Sequence, residues 1–335
     1  VPLCFPKYLQ VKVFITRMIS ETGLKKLKDA GLELTIWEEK KELPQEQLIQ
    51  FCKKSNALLS AGYNKIDAYF LNKCSHLKVI ALHSVGFDNV DILEADRLKI
   101  PVGNTPGILS GPTADVAFLL MLAVSRKAFY LHDKIKKGEW KFFEPTANLG
   151  MDLYGKTLGI FGLGSIGFEM AKRCVGAYNM KVIYHNRKEN VLAGKELNSR
   201  MVSFEELLKE SDIISVHSNL TADTKGTFNK EVFEKMKPSS IFINTARGAI
   251  HNEEDLIIAL RNGTIWGAGL DVTNPEPMKW DNPLLTMPNA AVLPHIGSAT
   301  VETRNGMADM AAQNIIAGLK GEKIPFPVNP EIYDQ

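Results

Sequence analysis

This sequence of 335 residues has neither a strong net charge nor a long hydrophobic run. Lys and Arg number 40 and Asp and Glu 38, which leaves a formal net charge of +2. A chain this close to neutral has no bulk electrostatic attraction to nucleic acid, so we expect no nucleic-acid partner. The longest apolar run, residues 116–124, is far short of the roughly 20 residues that a membrane span needs. We expect it to form a buried helix and the protein to have no membrane partner.

Cysteine is scarce, and the N-terminus has no secretion signal. Cys4, Cys52, Cys74 and Cys174 form no CxxC pair, and no Cys/His spacing is typical of a metal site. Residues 1–6 lack a basic segment followed by an apolar core, so we expect no signal peptide. These features predict a protein of the reducing cytoplasm that holds no metal.

The length predicts two domains, at about 150 residues each. Short β-rich runs alternate with amphipathic segments, which is typical of parallel sheets with helical crossovers. We predict a helix over about 112–130, packed between two sheets, and a closing helix over about 299–319. Strands are predicted at 11–15, 32–36, 57–59, 78–82 and 102, and again at 157–161, 181–184, 213–216, 241–244, 267–270 and 291–293. The second set has six strands, the number in a complete dinucleotide-binding sheet.

A glycine-rich turn follows the predicted strand at 157–161. Gly162 permits a tight turn, Gly164 allows a pyrophosphate to approach the backbone, and Gly167 lets the following helix pack closely. The amides of Ser165 and Ile166 would face an anion at the positive end of that helix. Because the motif lies between a strand and a helix, it predicts a dinucleotide site.

The next strand ends without the acidic residue that usually binds the ribose of NAD. Asn186, Arg187 and Lys188 occupy that position. Two cations there suit the 2′-phosphate of NADP, although they could also be ordinary surface charges. We therefore predict NADP(H) as the preferred cofactor, with NAD(H) possible.

Arg247, Glu276 and His295 each come just after a predicted strand. Strand ends are where sites form in α/β sheets, so the three would converge if their strands are neighbours. Arginine suits a substrate carboxylate, histidine can give a proton to a carbonyl oxygen, and a carboxylate favours the protonated imidazole. Each alone has an ordinary structural explanation, but together they predict redox chemistry on a 2-keto acid.

The motifs GLGSIG, NTARG, GLDVTNPEP and LPHIGSAT occur in this order and spacing. With them, the sequence resembles the D-isomer-specific 2-hydroxyacid dehydrogenase family over about residues 11–323. The segments NPLLTMPN, LPHIGSATVETRN and AGLKGE are most similar to its glyoxylate reductase/hydroxypyruvate reductase branch. That branch implies NADPH-dependent reduction of glyoxylate and hydroxypyruvate to glycolate and D-glycerate.

The resemblance implies a role for each matching residue. Arg247 would bind the substrate carboxylate and carbonyl, His295 would be the general acid/base, and Glu276 would pair with it. Further cofactor contacts are implied at Asn219, Thr245, Asp271 and Gly297, and further substrate contacts at Val85, Gly86 and Ser298.

The family's fold implies two doubly wound α/β domains with a cleft between them. A flavodoxin-like substrate-binding domain would comprise residues 1–109 and 299–335, and a Rossmann NAD(P)-binding domain 110–298. The resemblance also implies a homodimer in which Trp140 and Phe143 reach the partner's substrate pocket. Phe143 replaces a tryptophan that is usual in the branch, so it is expected to alter the pocket.

Two alternatives stay open from the sequence alone. The chain could be another D-2-hydroxyacid dehydrogenase, or a dinucleotide-sensing scaffold like the C-terminal-binding corepressors, which resemble the family. Turnover of a 2-keto acid would separate an enzyme from a sensor.

Overall fold

The computed structural model describes residues 11–334, which form two compact units. The smaller unit holds the described residues up to Ile108 and from Ala299 onward, and the larger unit is Leu109–Ser298. The expectation about a signal peptide concerns residues 1–6 and lies outside the described residues. In the described part of the chain, no helix is both long and apolar enough to cross a bilayer.

The smaller unit is built on a five-stranded, wholly parallel sheet. Its strand order is β2-β1-β3-β4-β5, the flavodoxin-like arrangement. The central strands β3 and β4 are buried at every position because helices cover both faces of the sheet. The strands are β1 (Lys12–Ile15), β2 (Glu33–Ile36), β3 (Ala57–Ser60), β4 (Val79–Leu82) and β5 (Val102–Gly103).

Five α-helices complete the described part of the smaller unit. They are α1 (Glu21–Asp29), α2 (Gln45–Cys52), α3 (Ala68–Lys73), α4 (Ile92–Arg97) and α12 (Val301–Leu319), with a 3-10 turn at Pro330–Tyr333. The side chains of Asp67 and Asp91 cap α3 and α4 by accepting amide hydrogen bonds from the first turn. Gly318 brings α12 against β4, since a Cβ there would lie 2.4 Å from the Val79 Cβ.

The larger unit is built on a seven-stranded parallel sheet. Its order is β12-β11-β10-β9-β6-β7-β8, which is the dinucleotide-binding order 3-2-1-4-5-6 with one further strand. The strands are β6 (Thr157–Phe161), β7 (Lys181–His185), β8 (Arg200–Met201), β9 (Ile213–Val216), β10 (Ile241–Asn244), β11 (Gly267–Leu270) and β12 (Ala290–Val292). The predicted fold class, two doubly wound parallel α/β domains, is therefore confirmed.

Seven α-helices accompany this sheet. They are α5 (Ser110–Ser125), α6 (Ala128–Lys136), α7 (Ser165–Tyr178), α8 (Val191–Leu197), α9 (Phe204–Glu210), α10 (Lys230–Phe233) and α11 (Glu253–Arg261), with 3-10 turns at Gly248–Ile250 and Pro283–Leu285. The glycines of β11 let α5 approach the sheet. A Cβ on Gly267 would lie 2.5 Å from Val124, and one on Gly269 would lie 2.8 Å from Leu120.

Two sequence predictions for the larger unit were wrong. The helix predicted over 112–130 is two helices, α5 and α6, because the backbone at Lys127 turns into the left-handed region with φ +54°. The sheet also has a seventh strand, β8, which was not predicted. Both residues of β8 are exposed, so it has no apolar pattern to reveal it.

Candidate active site

A buried amide positions the loop that carries Arg247. Asn244, the last residue of β10, accepts a hydrogen bond from the Ala246 amide at 3.0 Å and donates to the Arg247 carbonyl at 2.9 Å. Its Nδ2 also donates to Nδ1 of the buried His251 at 3.0 Å. The guanidinium of Arg247 donates from Nη1 to the Ala246 carbonyl at 2.7 Å. The side chain is therefore hydrogen-bonded to the backbone of its own loop.

Close backbone packing joins the loop after β10 to the loop after β11. A Cβ on Gly248 would lie only 2.0 Å from the carbonyl oxygen of Thr273, so only glycine fits there. Glu253, at the start of α11, accepts from the Asn274 amide at 3.0 Å and from the Asn282 side chain at 2.6 Å. These contacts hold the segment that carries Glu276 beside the Arg247 loop.

Asp271 fixes the loop that carries His295. Its carboxylate, only 1% exposed, accepts hydrogen bonds from the amides of Ile296 at 2.8 Å and Gly297 at 2.7 Å. Burial raises the pKa of Asp271 in spite of these two hydrogen bonds, which favour its ionised form. The two bonds secure a backbone in which His295 has φ +54°, a conformation that non-glycine residues rarely adopt.

His295 and Glu276 form a hydrogen-bonded pair. Nδ1 of the imidazole lies 2.5 Å from Oε1 of Glu276. Burial would raise the pKa of Glu276, but the hydrogen bond and charge of His295, with a smaller contribution from Arg247, hold it below its usual range. Glu276 is therefore an ionised acceptor, and the three predicted catalytic side chains come together in the larger unit.

The glycine-rich turn has the shape of an anion cradle at the start of α7. Gly162 has φ +96°, and a Cβ there would lie 2.6 Å from the Ser218 amide nitrogen. A Cβ on Gly164 would meet no atom within 4 Å, whereas one on Gly167 would lie 2.9 Å from the Gly162 carbonyl. No side chain caps α7, so its first amides are available to an anion.

An orphaned hydroxyl supports a polar ligand at this turn. Ser218 lies beside Gly162, and its Oγ is buried without a hydrogen-bond partner in the described part of the chain. A buried hydroxyl without a partner is costly unless a ligand satisfies it. The turn and this hydroxyl fit a pyrophosphate, and when bound the dinucleotide would supply the nicotinamide that exchanges hydride.

The predicted cofactor residues after β7 have two different environments. Asn186 accepts from the Leu163 amide at 2.6 Å and donates to its carbonyl at 3.3 Å, so its side chain braces the glycine turn. Arg187 and Lys188 are exposed, and neither has an ion-pair partner within residues 11–334. Two unneutralised cations thus follow the second strand of the dinucleotide sheet.

Thr245 and Asn219 follow neighbouring strands. Thr245 is buried, and its hydroxyl lies 3.5 Å from Nδ1 of His217, whose Nε2 is 2.8 Å from the Ser215 hydroxyl. Burial lowers the pKa of His217 to about 3, so this ring is neutral. Asn219 is exposed, and its carbonyl accepts from Thr224 at 2.7 Å.

The predicted substrate loop of the smaller unit has unpaired backbone amides. The Val85 carbonyl accepts from Asn104 at 2.8 Å, and the Gly86 carbonyl accepts from the Ser84 hydroxyl at 2.8 Å. The amides of Val85 and Gly86 have no hydrogen-bond partner among the residues that the structure describes. Two adjacent free N–H groups can hold a carboxylate oxygen.

The remaining predicted substrate residues have more open surroundings. Trp140 and Phe143 are 71% and 82% exposed, on the long connection between α6 and β6. Ser298 is half-buried at the end of the larger unit.

Among residues 11–334, no cluster of His, Cys, Asp or Glu could hold a metal ion.

Sequence reasoning missed the supports behind these side chains. Asn244 and His251 hold the Arg247 loop, Asp271 holds the His295 loop through backbone amides, and Ser218 lies behind Gly162. The only sequence signal was that Asn244 and Asp271 are polar residues at the ends of buried strands.

Comparison with known proteins identifies the family. The family model for the NAD binding domain of D-isomer specific 2-hydroxyacid dehydrogenases matches residues 118–297. The chain is 43% identical to glyoxylate reductase of Thermococcus litoralis over 328 residues, which cover 97% of this chain and 98% of that protein. It therefore belongs to the D-isomer specific 2-hydroxyacid dehydrogenase family and is an NAD(P)-dependent dehydrogenase.

Solved structures have the same fold over nearly the whole chain. The TT0316 protein of Thermus thermophilus has a TM-score of 0.88 and 41% identity, covering 95% of this chain and 100% of that one. An NADPH-dependent glyoxylate/hydroxypyruvate reductase from Sinorhizobium meliloti, solved with NADP and malonate, has a TM-score of 0.83 and 29% identity. The match covers 96% of this chain and 98% of that chain.

Proposed function

We propose that this enzyme reduces glyoxylate and hydroxypyruvate to glycolate and D-glycerate with NADPH. The observation that carries the proposal is the group formed by Arg247, Glu276 and the imidazole of His295, which follows strands of the same parallel sheet as a glycine turn that fits a dinucleotide. The names of the relatives in Thermococcus litoralis and Sinorhizobium meliloti support this substrate class.

Three side chains perform the part of the reaction that belongs to the protein. Arg247 binds the substrate carboxylate, for which its planar guanidinium is suited. Nδ1 of His295 donates to Glu276, so the ring presents Nε2 to the substrate carbonyl. Nε2 gives a proton to the carbonyl oxygen, which makes the product a 2-hydroxy acid; the hydride would come from a nicotinamide held by the dinucleotide site.

We assign carboxylate binding also to the amides of Val85 and Gly86. Their unpaired N–H groups support the assignment, because a carboxylate needs several donors when it leaves water. Ser298 completes the proposed substrate contacts. The dinucleotide would be held by the glycine turn, with Asp271, Thr245, Asn219 and Gly297 around the nicotinamide end.

The cofactor preference rests on Arg187 and Lys188. Their charges are not neutralised within the described residues, and a 2′-phosphate would provide a charge-assisted partner. An Arg187→Ala/Lys188→Ala variant should raise KM for NADPH while leaving KM for NADH nearly unchanged. Equal or better kcat/KM with NADH in the wild type would refute the preference.

A steady-state panel of 2-keto acids with both reduced cofactors tests the function. We expect the highest kcat/KM with glyoxylate and hydroxypyruvate. Preference for another 2-keto acid would favour a different member of the family. Tight NADPH binding with no turnover of any 2-keto acid would favour a sensor.

An arginine-to-lysine change tests the carboxylate clamp. Arg247→Lys keeps the charge but loses the planar pair of donors, so kcat/KM for glyoxylate should fall by about ten- to a hundredfold. An unchanged kcat/KM would refute the clamp. Exposed Arg261→Lys is the matched control, since it keeps charge in the same unit.

We also propose a homodimer and a cytoplasmic location. The exposed Trp140 and Phe143 support a surface for a second copy of the chain, because large exposed aromatics mark interfaces. Light scattering of the wild type and of Phe143→Ser tests the dimer: a monomeric wild type would refute it. The unpaired thiols of Cys52, Cys74 and Cys174 support a reducing compartment, which fractionation of source cells tests.

A further inference from the structure

Arg304 is a half-buried cation without an acidic partner in the described part of the chain. It lies in the first turn of α12, and burial lowers its pKa. By contrast, the partly buried Arg173 pairs with Asp115 at 2.6 Å and with Glu169 at 2.7 Å. A cation that is partly withdrawn from water without a counterion lowers the stability of the fold. This cost suggests that Arg304 has a function in binding an anion.

His83 lies beside Arg304 and does not neutralise it. The ring is 8% exposed, and its Nε2 is buried without a hydrogen-bond partner among residues 11–334. Burial, and next the charge of Arg304, lower the pKa of His83 to about 4. The imidazole is therefore neutral at physiological pH, and its free ring nitrogen is a second unsatisfied polar group next to the guanidinium.

The packing of α12 puts both groups at the carboxyl edge of the smaller sheet. Gly318, near the end of the helix, contacts Val79 at the start of β4, and Gly306 approaches Ile108. The first turn of α12 therefore lies towards the end of β4, where His83 follows the strand. Val85 and Gly86 are only two and three residues beyond His83, within about 8 and 11 Å along the chain.

We propose that Arg304, with His83 beside it, is a second recognition element for the substrate carboxylate and acts with the amides of Val85 and Gly86. The inference rests on the proposed function and adds a second carboxylate-binding cation to it. A carboxylate can accept hydrogen bonds from the Arg304 guanidinium and from the two backbone amides. These three groups belong to the smaller unit, so they are distinct from the Arg247 clamp of the larger unit.

Variants of Arg304 test the proposal through KM. Arg304→Met keeps the side-chain stem and removes the charge, so KM for glyoxylate should rise by about ten- to a hundredfold. KM for hydroxypyruvate should rise equally, whereas the Kd for NADPH should not change. Arg304→Lys should recover part of the loss because it keeps a cation. Lys40→Gln, which removes an exposed cation from the same unit, should leave KM unchanged.

Binding of oxalate to the NADPH-loaded enzyme, measured by calorimetry, gives a readout besides activity. Arg304→Met should weaken oxalate binding by the same factor as it raises KM for glyoxylate. If this variant does not fold, Arg304→Gln compared with Arg304→Lys makes the same test.

Different results would refute the proposed function and the role of Arg304. A wild type without turnover of glyoxylate would refute the proposed function. Wild-type turnover, with unchanged KM and oxalate affinity in folded Arg304→Met, would refute the role of Arg304. A rise in KM for hydroxypyruvate alone would also overturn it, since glyoxylate offers the same carboxylate.

Discussion

Nδ1 of His295 lies 2.5 Å from Oε1 of Glu276, and this contact determines which ring nitrogen is left free. Because Glu276 is held in its ionised form, Nδ1 carries the proton that it donates to the carboxylate. Nε2 is then the nitrogen that faces away from Glu276. The pair therefore orients the ring before a substrate arrives.

Glu276→Gln should lower kcat for glyoxylate reduction by about tenfold or more, because an amide does not hold the ring as the ionised carboxylate does, with Nδ1 as the donor and Nε2 left free. Steady-state kinetics with glyoxylate and NADPH measure the effect. Glu196→Gln, an exposed carboxylate of the same unit, is the matched control. An unchanged kcat in Glu276→Gln would show that Glu276 does not orient the ring.

Asp271→Asn should disturb the His295 loop without touching the imidazole. Asparagine keeps one oxygen but turns an N–H group towards one of the two amides that Asp271 now binds. We expect a loss of about 1–3 kcal/mol in the free energy of unfolding and a lower kcat. Denaturant unfolding and steady-state kinetics measure these. If Asp271→Asn has the stability and kcat of the wild type, the loop keeps the φ of +54° at His295 without this carboxylate. Asp281→Asn, at an exposed position, is the control.

The buried His251 should make the folded state sensitive to acid. Burial lowers its pKa to about 4, whereas in the unfolded chain it titrates near its ordinary value of about 6.5. The unfolded chain thus binds more protons between these values, so stability is complete above about pH 6.5 and is lost as pH falls towards 4. His83 and His217, whose pKa values burial also lowers, add to the same loss.

His251→Gln should make this dependence shallower by up to about 1.4 kcal/mol per pH unit, which is one linked proton. The free energy of unfolding, measured by denaturant titration from pH 7 to pH 4.5, checks it. The matched control is His132→Gln, which removes an exposed histidine. The same slope in His251→Gln as in the wild type would mean that His251 is protonated in the folded enzyme.

Sequence alone could predict the two sheets because their central strands are buried on both faces and have continuous apolar runs. It could not predict the two-residue strand at Arg200–Met201, whose side chains are exposed. Nor could it predict the break after α5. Ser125, Arg126 and Lys127 include no glycine or proline, so no residue type announces the left-handed backbone at Lys127.

The placement of the three proposed catalytic residues was predictable because chemistry limits their types and strand ends limit their positions. Arg247, Glu276 and His295 follow consecutive strands of the sheet. The residues that hold them were not predictable, because their partners are backbone groups of distant loops. The contacts of Asp271 with the amides of Ile296 and Gly297, and of Asn244 with the Arg247 carbonyl, depend on tertiary geometry.

The central claim, that His295 is the proton donor in reduction of a 2-keto acid, is tested most directly by His295→Gln. Pre-steady-state hydride transfer from NADPH to glyoxylate and the Kd for NADPH should be measured on the same preparation. We predict that the hydride-transfer rate falls by about a hundredfold or more, with the Kd for NADPH nearly unchanged. A wild-type rate, or a loss of NADPH binding that accounts for the whole defect, would contradict the assignment.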